Sequence, residues 1–312
     1  MKAEALGRKV IRGIHGILNI AMLTSILLLL AFAGYALWDS HQVYRAAGKS
    51  QYAIYKPSTG DEGLSFRELQ AINAEVFAWL TVYGTNIDYP VTQGPDNQKY
   101  VNTNAEGLYS LSGAIFLDCR SSPHFTDFSN ILYGHHMEKK TMFGEVAGFA
   151  DKAMFDSHRY GNLYYDGKDH GIEFFAFVHT HAYDGKVFTL TPTKDKQIAY
   201  LDNLLATAIH ARDIGVRIED NIILLSTCSS ASTNGRDLLI GRITDEVYEN
   251  PFAATGTNDG SKAAETGDRH DAIKISMLFL LLPGPILILA LRALVKSIKH
   301  HRGEQKRRWW VT

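Results

Sequence analysis

From Ile14 to Trp38 the chain runs for 25 residues without a charged side chain, and from Ile273 to Leu291 it does so again with only Lys274 interrupting near the start. A helix that crosses a bilayer needs about 20 such residues. Both runs are therefore expected to be transmembrane helices, over 14–38 and 272–294, and whatever else folds here must fold between them. The formal net charge of -1 is unevenly spread. Lys2, Arg8, Lys9 and Arg12 precede the first run, and Arg292, Lys296, Lys299, Arg302, Lys306, Arg307 and Arg308 follow the second. Positive charge is retained on the cytoplasmic side, so a cytoplasmic N-terminus (1–13), a basic cytoplasmic tail (295–312) and an outward-facing middle are expected. A cleaved signal peptide ending near Ala31-Phe32-Ala33 is the competing reading of the first run. A buried core helix competes for the second, because Pro283-Gly284-Pro285 would kink it.

Residues 39–64 are mixed and polar and read as a stalk. A folded domain is expected over 65–248, with a small, polar linker over 249–271. Ser65-Phe66-Arg67-Glu68 fits a helix capping box, and Leu69, Ile72, Val76, Phe77 and Leu80 would give that helix one buried face. Beyond Trp79 the pattern turns to short β-rich segments: "WLTVYGTNIDYPVTQ", "GAIFLDC", "SNILYGHHM", "IEFFAFVHTHAY", "KVFTLTP", "NIILLSTC" and "RDLLIGRI". Seven or eight such strands predict a barrel or sandwich. Ile198, Leu201, Leu205, Ala208 and Ile209 return to helical spacing, which predicts one helix within 194–212.

Two cysteines, Cys119 and Cys228, are too few for a disulfide framework. Cys228 closes an apolar strand before a Ser-rich turn, a placement open to solvent, whereas free cysteine is otherwise a small buried hydrophobe. A thiol attacks only as thiolate and needs a base or cation beside it. Arg236 opens the next strand, where antiparallel pairing would bring it to the same edge. His135 ends an earlier strand and carries the side chain suited to proton transfer near neutral pH; His136 would point the other way on extended backbone. His135-His136 and His179-Thr180-His181 could instead hold zinc. No Cys-x-x-Cys or His-Glu-x-x-His spacing accompanies them, so no metal and no cofactor is expected. His179 and His181, two apart, would share one strand face and line a groove.

Taken together, "FAWLTVYGTNIDYPVTQ", "GAIFLDCR", "FSNILYGHHMEKKTMFGEV", "ILLSTC" and "RDLLIGRI" resemble a sortase, and more closely a class B sortase, over residues 66–243. The resemblance implies a mainly β fold, an eight-stranded barrel with short flanking helices. It also implies a cysteine transpeptidase in which Cys228 is the nucleophile, His135 the acid and base, and Arg236 the oxyanion partner, with Thr227 and Ser226 holding the peptide. The implied partners are the C-terminal sorting signal of a secreted protein and an amine, either on a lipid-linked peptidoglycan precursor or on a pilin lysine; no nucleic acid is implied. Two features depart from the pattern. Many class B sortases carry an aromatic residue at Cys119, and a second span is more familiar in pilus-building class C enzymes, whose Asp-Pro-aromatic lid motif is absent. Wall anchoring and pilin polymerisation both stay open. A hydrolase and a non-catalytic peptide-binding surface protein on the same scaffold are the rival functions; an L,D-transpeptidase would need a Ser-His-Gly-Cys pattern not found here.

Overall fold

The computed structural model describes residues 2–57, 64–189, 193–229 and 233–253. A long helix, α1 (Lys2–Ala46), leads into α2 (Leu64–Ile72), and nine strands follow. These are β1 (Val76–Val82), β2 (Asp88–Thr92), β3 (Ile115–Leu117), β4 (Ser129–Tyr133), β5 (Tyr160–Tyr165), β6 (Lys168–His181), β7 (Ala208–Ala211), β8 (Ile222–Cys228) and β9 (Gly235–Thr244). Between them lie α3 (Lys152–Ser157), before β5, and α4 (Lys194–Thr207), before β7. The sheet order is β5-β1-β2-β3-β4-β8-β9-β6-β7, and β5 also pairs with β6. Eight strands thus close into a barrel, and β7 lies outside the ring, on the stretch of the β6 edge beyond β5.

The closing hairpin is written in the sequence. Tyr165 pairs with Lys168, and Asp166 and Gly167 between them both take positive φ, 51° and 80°. An Asp-Gly pair is the favoured filling of a two-residue turn whose twist matches that of the strands. Strands β8 and β9 are buried on both faces, which is why they read as continuous apolar runs. Ile223, Leu225 and Leu239 join the barrel core with Leu80, Val91 and Phe177, whereas Ile222, Leu224, Leu238 and Ile240 pack under α4 against Tyr200, Leu201 and Leu204.

Several expectations are revised. Val76, Phe77 and Leu80 belong to β1 and not to the first helix. Ser65 lies within the first turn of α2 and donates to the Lys56 carbonyl. The buried side of α4 is Tyr200, Leu201 and Leu204, with Ile198 and Leu205 exposed, because the Tyr200 hydroxyl is drawn inward by Ser129 and the Val187 carbonyl. The segment "KVFTLTP" is not a strand through Thr189: the Asp184 carbonyl accepts from both Val187 and Phe188 amides and winds the chain into a turn.

Among the described residues one helix, Val10–Ala46, is long and apolar enough to cross a membrane, and none of its most apolar stretch is buried against the protein. Residues 39–57 do not form a free stalk. Helix α1 continues to Ala46, two short 3-10 turns follow over 49–51 and 53–55, and Ala47 and Tyr52 are buried in the barrel core. After β9 the chain packs back as well, with Tyr248 stacked on Tyr160 and Phe252 on His158. The expected second span, the basic tail and the linker from residue 254 onward lie outside the described residues.

Candidate active site

Strands β4, β8 and β9 are consecutive in the barrel, and the three candidate residues stand at one end of them. Cys228 and Arg236 are direct partners across β8 and β9. The Ser229 amide donates to the Gly235 carbonyl at 2.9 Å, which makes 229/235 a hydrogen-bonded pair and 228/236 the adjacent non-hydrogen-bonded one. In such a pair the Cα atoms approach to about 4.5 Å and the side chains lie next to each other on one face. By alternation that face is the α4 side, shared with Leu224 and Leu238.

Strand β4 runs parallel to β8, with Tyr133 opposite Ser226. The Gly134 amide donates to the Ser226 carbonyl at 3.2 Å, extending the ladder one residue past the strand. The Thr227 hydroxyl donates to the Gly134 carbonyl at 2.9 Å. Gly134 is thus tied to β8 at both its amide and its carbonyl, and His135 emerges in register with Cys228. A Cβ at Gly134 would lie 2.6 Å from Ile115 Cδ1 and 2.7 Å from the Phe143 ring, so the tight approach requires glycine. Thr227 is buried and committed to this link, and by alternation it faces the barrel interior and not the Cys228 side. Ser226 lies on the Cys228 face, buried, and its Oγ has no hydrogen-bond partner.

The His135 Nε2 is 2.8 Å from the Val101 carbonyl oxygen. A carbonyl only accepts, so this nitrogen bears the proton and Nδ1 is the one left for exchange. Cys228 is exposed and Cys119 half-buried, and both are free thiols. Arg236 is half-buried; it donates to the Gly235 carbonyl and forms no ion pair with a described carboxylate. His136 turns away from the groove into a bridge with Met142, as extended backbone requires. His179 pairs with the buried Asp237 at 2.8 Å, the His181 ring lies 5.4 Å from that of Tyr183 at a tilt of 43°, and no group of three metal-ligating side chains occurs among the described residues.

Sequence reasoning missed a buried acid that ties down Tyr133, two residues before His135. Asp118, fully buried, accepts from Arg120 Nε at 2.8 Å and Nη2 at 2.7 Å, from Asn97 at 3.1 Å and from the Tyr133 hydroxyl at 3.1 Å. Burial alone would raise the Asp118 pKa, but the hydrogen bonds and charge of Arg120, with help from Tyr133, hold it below the ordinary value. The signal was present as an acid closing the apolar "AIFLD". Its partner Arg120 stood two positions on, but Tyr133, 15 positions away, could not be read off.

No family model matches the chain. It is 30% identical over 179 residues to sortase B of Listeria monocytogenes, covering 57% of this chain and 73% of that one. The chain belongs to the class B sortases. A solved sortase B from the type II pilus of Streptococcus pneumoniae is 48% identical, with a TM-score of 0.51, and the match covers 57% of this chain and 98% of that structure. A Streptococcus pyogenes class B sortase involved in pilus biogenesis is 37% identical, with a TM-score of 0.54, over 59% of this chain and all of that structure. This sortase is accordingly a cysteine transpeptidase with the closed barrel of its class.

Proposed function

We propose that this sortase, held at the membrane by α1 with its barrel outside the cell, cleaves the C-terminal sorting signal of a secreted protein at Cys228 and passes the acyl group to an amine. The reading rests above all on the shared end of β4, β8 and β9, which gathers a thiol, an imidazole and a guanidinium that are more than 90 residues apart at the extremes.

The Cys228 thiol gives its proton to His135 Nδ1, the thiolate attacks the carbonyl carbon of the signal's threonine, and the oxyanion that forms takes hydrogen bonds from the Arg236 donors not used by Gly235. Collapse breaks the peptide C–N bond, and the departing amine takes a proton from His135 Nδ1, leaving a thioester on Cys228. The incoming amine gives its proton back to the same nitrogen as it attacks the thioester. A new amide forms and the thiolate is released. Ser226, buried beneath the Cys228 face, exposes no contact for the peptide, and Thr227 holds His135 in register from the other face. His135, Cys228 and Arg236 do the chemistry with no metal or cofactor in the step.

Greater identity to pilus-associated sortases than to the Listeria relative favours a pilin lysine over a peptidoglycan amine as acceptor. The test is intact-mass measurement of the full chain with sorting-signal peptides, followed by product analysis with a pilin domain or a peptidoglycan cross-bridge peptide as the amine. Cys228→Ala should form neither adduct nor product, and His135→Ala should lose turnover. Transfer by the Cys228→Ala protein would overturn the mechanism, and peptide binding without a covalent adduct would mark a non-catalytic receptor.

A further inference from the structure

The segment after His135 is wound tightly. His136 bridges back to Met142, the Phe143 amide donates to the His135 carbonyl at 3.0 Å, and Lys140 and Met142 both take positive φ, 57° and 51°. Such backbone is uncommon for non-glycine residues and persists only where its surroundings enforce it. The enforcing contacts come from Tyr89 on β2 and, through it and beside it, from the end of α1. The Met142 amide donates to the Tyr89 hydroxyl at 3.0 Å, and that hydroxyl donates in turn to the Ala47 carbonyl at 2.9 Å. Ala47 is the first residue after α1 and is itself buried. Independently, the Lys139 ammonium sits 4.3 Å over the ring of Tyr44, in the last turn of α1.

We infer that Tyr89 is a positioning residue that, with the Tyr44–Lys139 contact, makes the end of the membrane helix a structural support for the histidine-bearing loop. The inference rests on the reading of His135 as the acid and base. Tyr89 is about 1% exposed, and burial pushes its pKa up to about 12, so the phenol keeps the proton it donates. The void lined by Tyr52, Tyr89, Ile115 and Met142 is too narrow for water. Loss of the hydroxyl therefore leaves the Met142 amide and the Ala47 carbonyl without partners. The loop would then relax away from the geometry that holds His135 against Cys228.

The experiment compares the full chain with its Tyr89→Phe and Tyr44→Leu variants in phospholipid nanodiscs, by hydrogen exchange across 136–143 and by kinetics with the peptide that acylates Cys228. Tyr89→Phe should speed exchange of the Met142 amide about tenfold and leave the β8 amides unchanged. It should also lower kcat by about 10- to 100-fold with KM within about twofold. Tyr44→Leu, which keeps the fold and removes only the ring face, should move both readouts in the same direction by less. Unchanged Met142 exchange in Tyr89→Phe, or faster exchange with unchanged kcat, overturns the inference; no effect of Tyr44→Leu on either readout removes the helix from it. If His135→Ala keeps its turnover, the reading of the site fails while the Met142 exchange still reports whether the support exists.

Discussion

Arg236 spends one donor on the Gly235 carbonyl and meets no described carboxylate, although it is only half exposed. A guanidinium left this way keeps several donors in a fixed fork, which an ammonium on a flexible stem does not reproduce. Arg236→Lys should therefore lower kcat/KM by about 10²–10³, the usual cost of a lost oxyanion donor, with the circular-dichroism spectrum unaltered. Asp118 makes a different prediction. Its folded-state pKa is depressed, by Arg120 and Tyr133 against the opposing effect of burial, so its contribution to stability is present above the unfolded carboxylate pKa, about 3.9, and lost as pH falls through the lower folded value. Asp118→Asn should thus be less stable than the parent in urea at neutral pH, and the gap should narrow below about pH 4; a gap of constant size at every pH would count against it. The three candidates stood out at strand ends, and it was the resemblance that joined them into a proposed triad. Thr227 was not, because "STC" gives no sign that its hydroxyl is bound to Gly134, 93 positions earlier.

Strand β4 can lie parallel to β8 and still present His135 only because Gly134 closes the gap between them. Gly134→Ala would drive a methyl into Ile115 and the fully buried Phe143 ring. It should cost about 1–3 kcal/mol of stability, as overpacked cores do, and lower kcat more than it raises KM as His135 shifts; thermal unfolding and steady-state kinetics measure the two effects. The strands that escaped the sequence are those whose pattern is weakest. Strand β7 is "AIHA" with every second residue exposed, held only by the edge of β6. Strand β5, "YGNLYY", has a glycine where a large apolar residue would have marked it, because a Cβ at Gly161 would press on the Thr81 carbonyl. Its Asp-Gly turn was the readable clue. Helix α4 was legible as a helix and not as a face, since its orientation depends on Tyr200 reaching Ser129 from a strand 71 positions away.

At the scale of the molecule, strand count pointed to a barrel or a sandwich and the resemblance chose the barrel, but its attachment to α1 was not foreseeable. Polar composition over 39–57 reads as a stalk, while Ala47 and Tyr52, two small contributions to hydropathy, are what seat the helix end in the core. With a rigid joint in place of a stalk, and with α1 as the anchor proposed above, the distance from the bilayer to the active site becomes a fixed quantity. Six helical residues separate Trp38 from Tyr44, about 9 Å of rise. Lys139 touches Tyr44, His135 is four residues further, at most about 14 Å away, and Cys228 is on the neighbouring strand, about 5 Å across. Spin labels at Cys228 and at Trp38→Cys, in a Cys119→Ser background, should give one narrow distance distribution centred below about 40 Å, the bound set by those chain lengths and the intervening side chains. A flexible tether would give a broad distribution reaching well beyond that bound. On the proposed function the distinction matters for catalysis, because an active site held at a set height meets a membrane-delivered sorting signal at one place along its extended chain, whereas a tethered one meets it anywhere within reach.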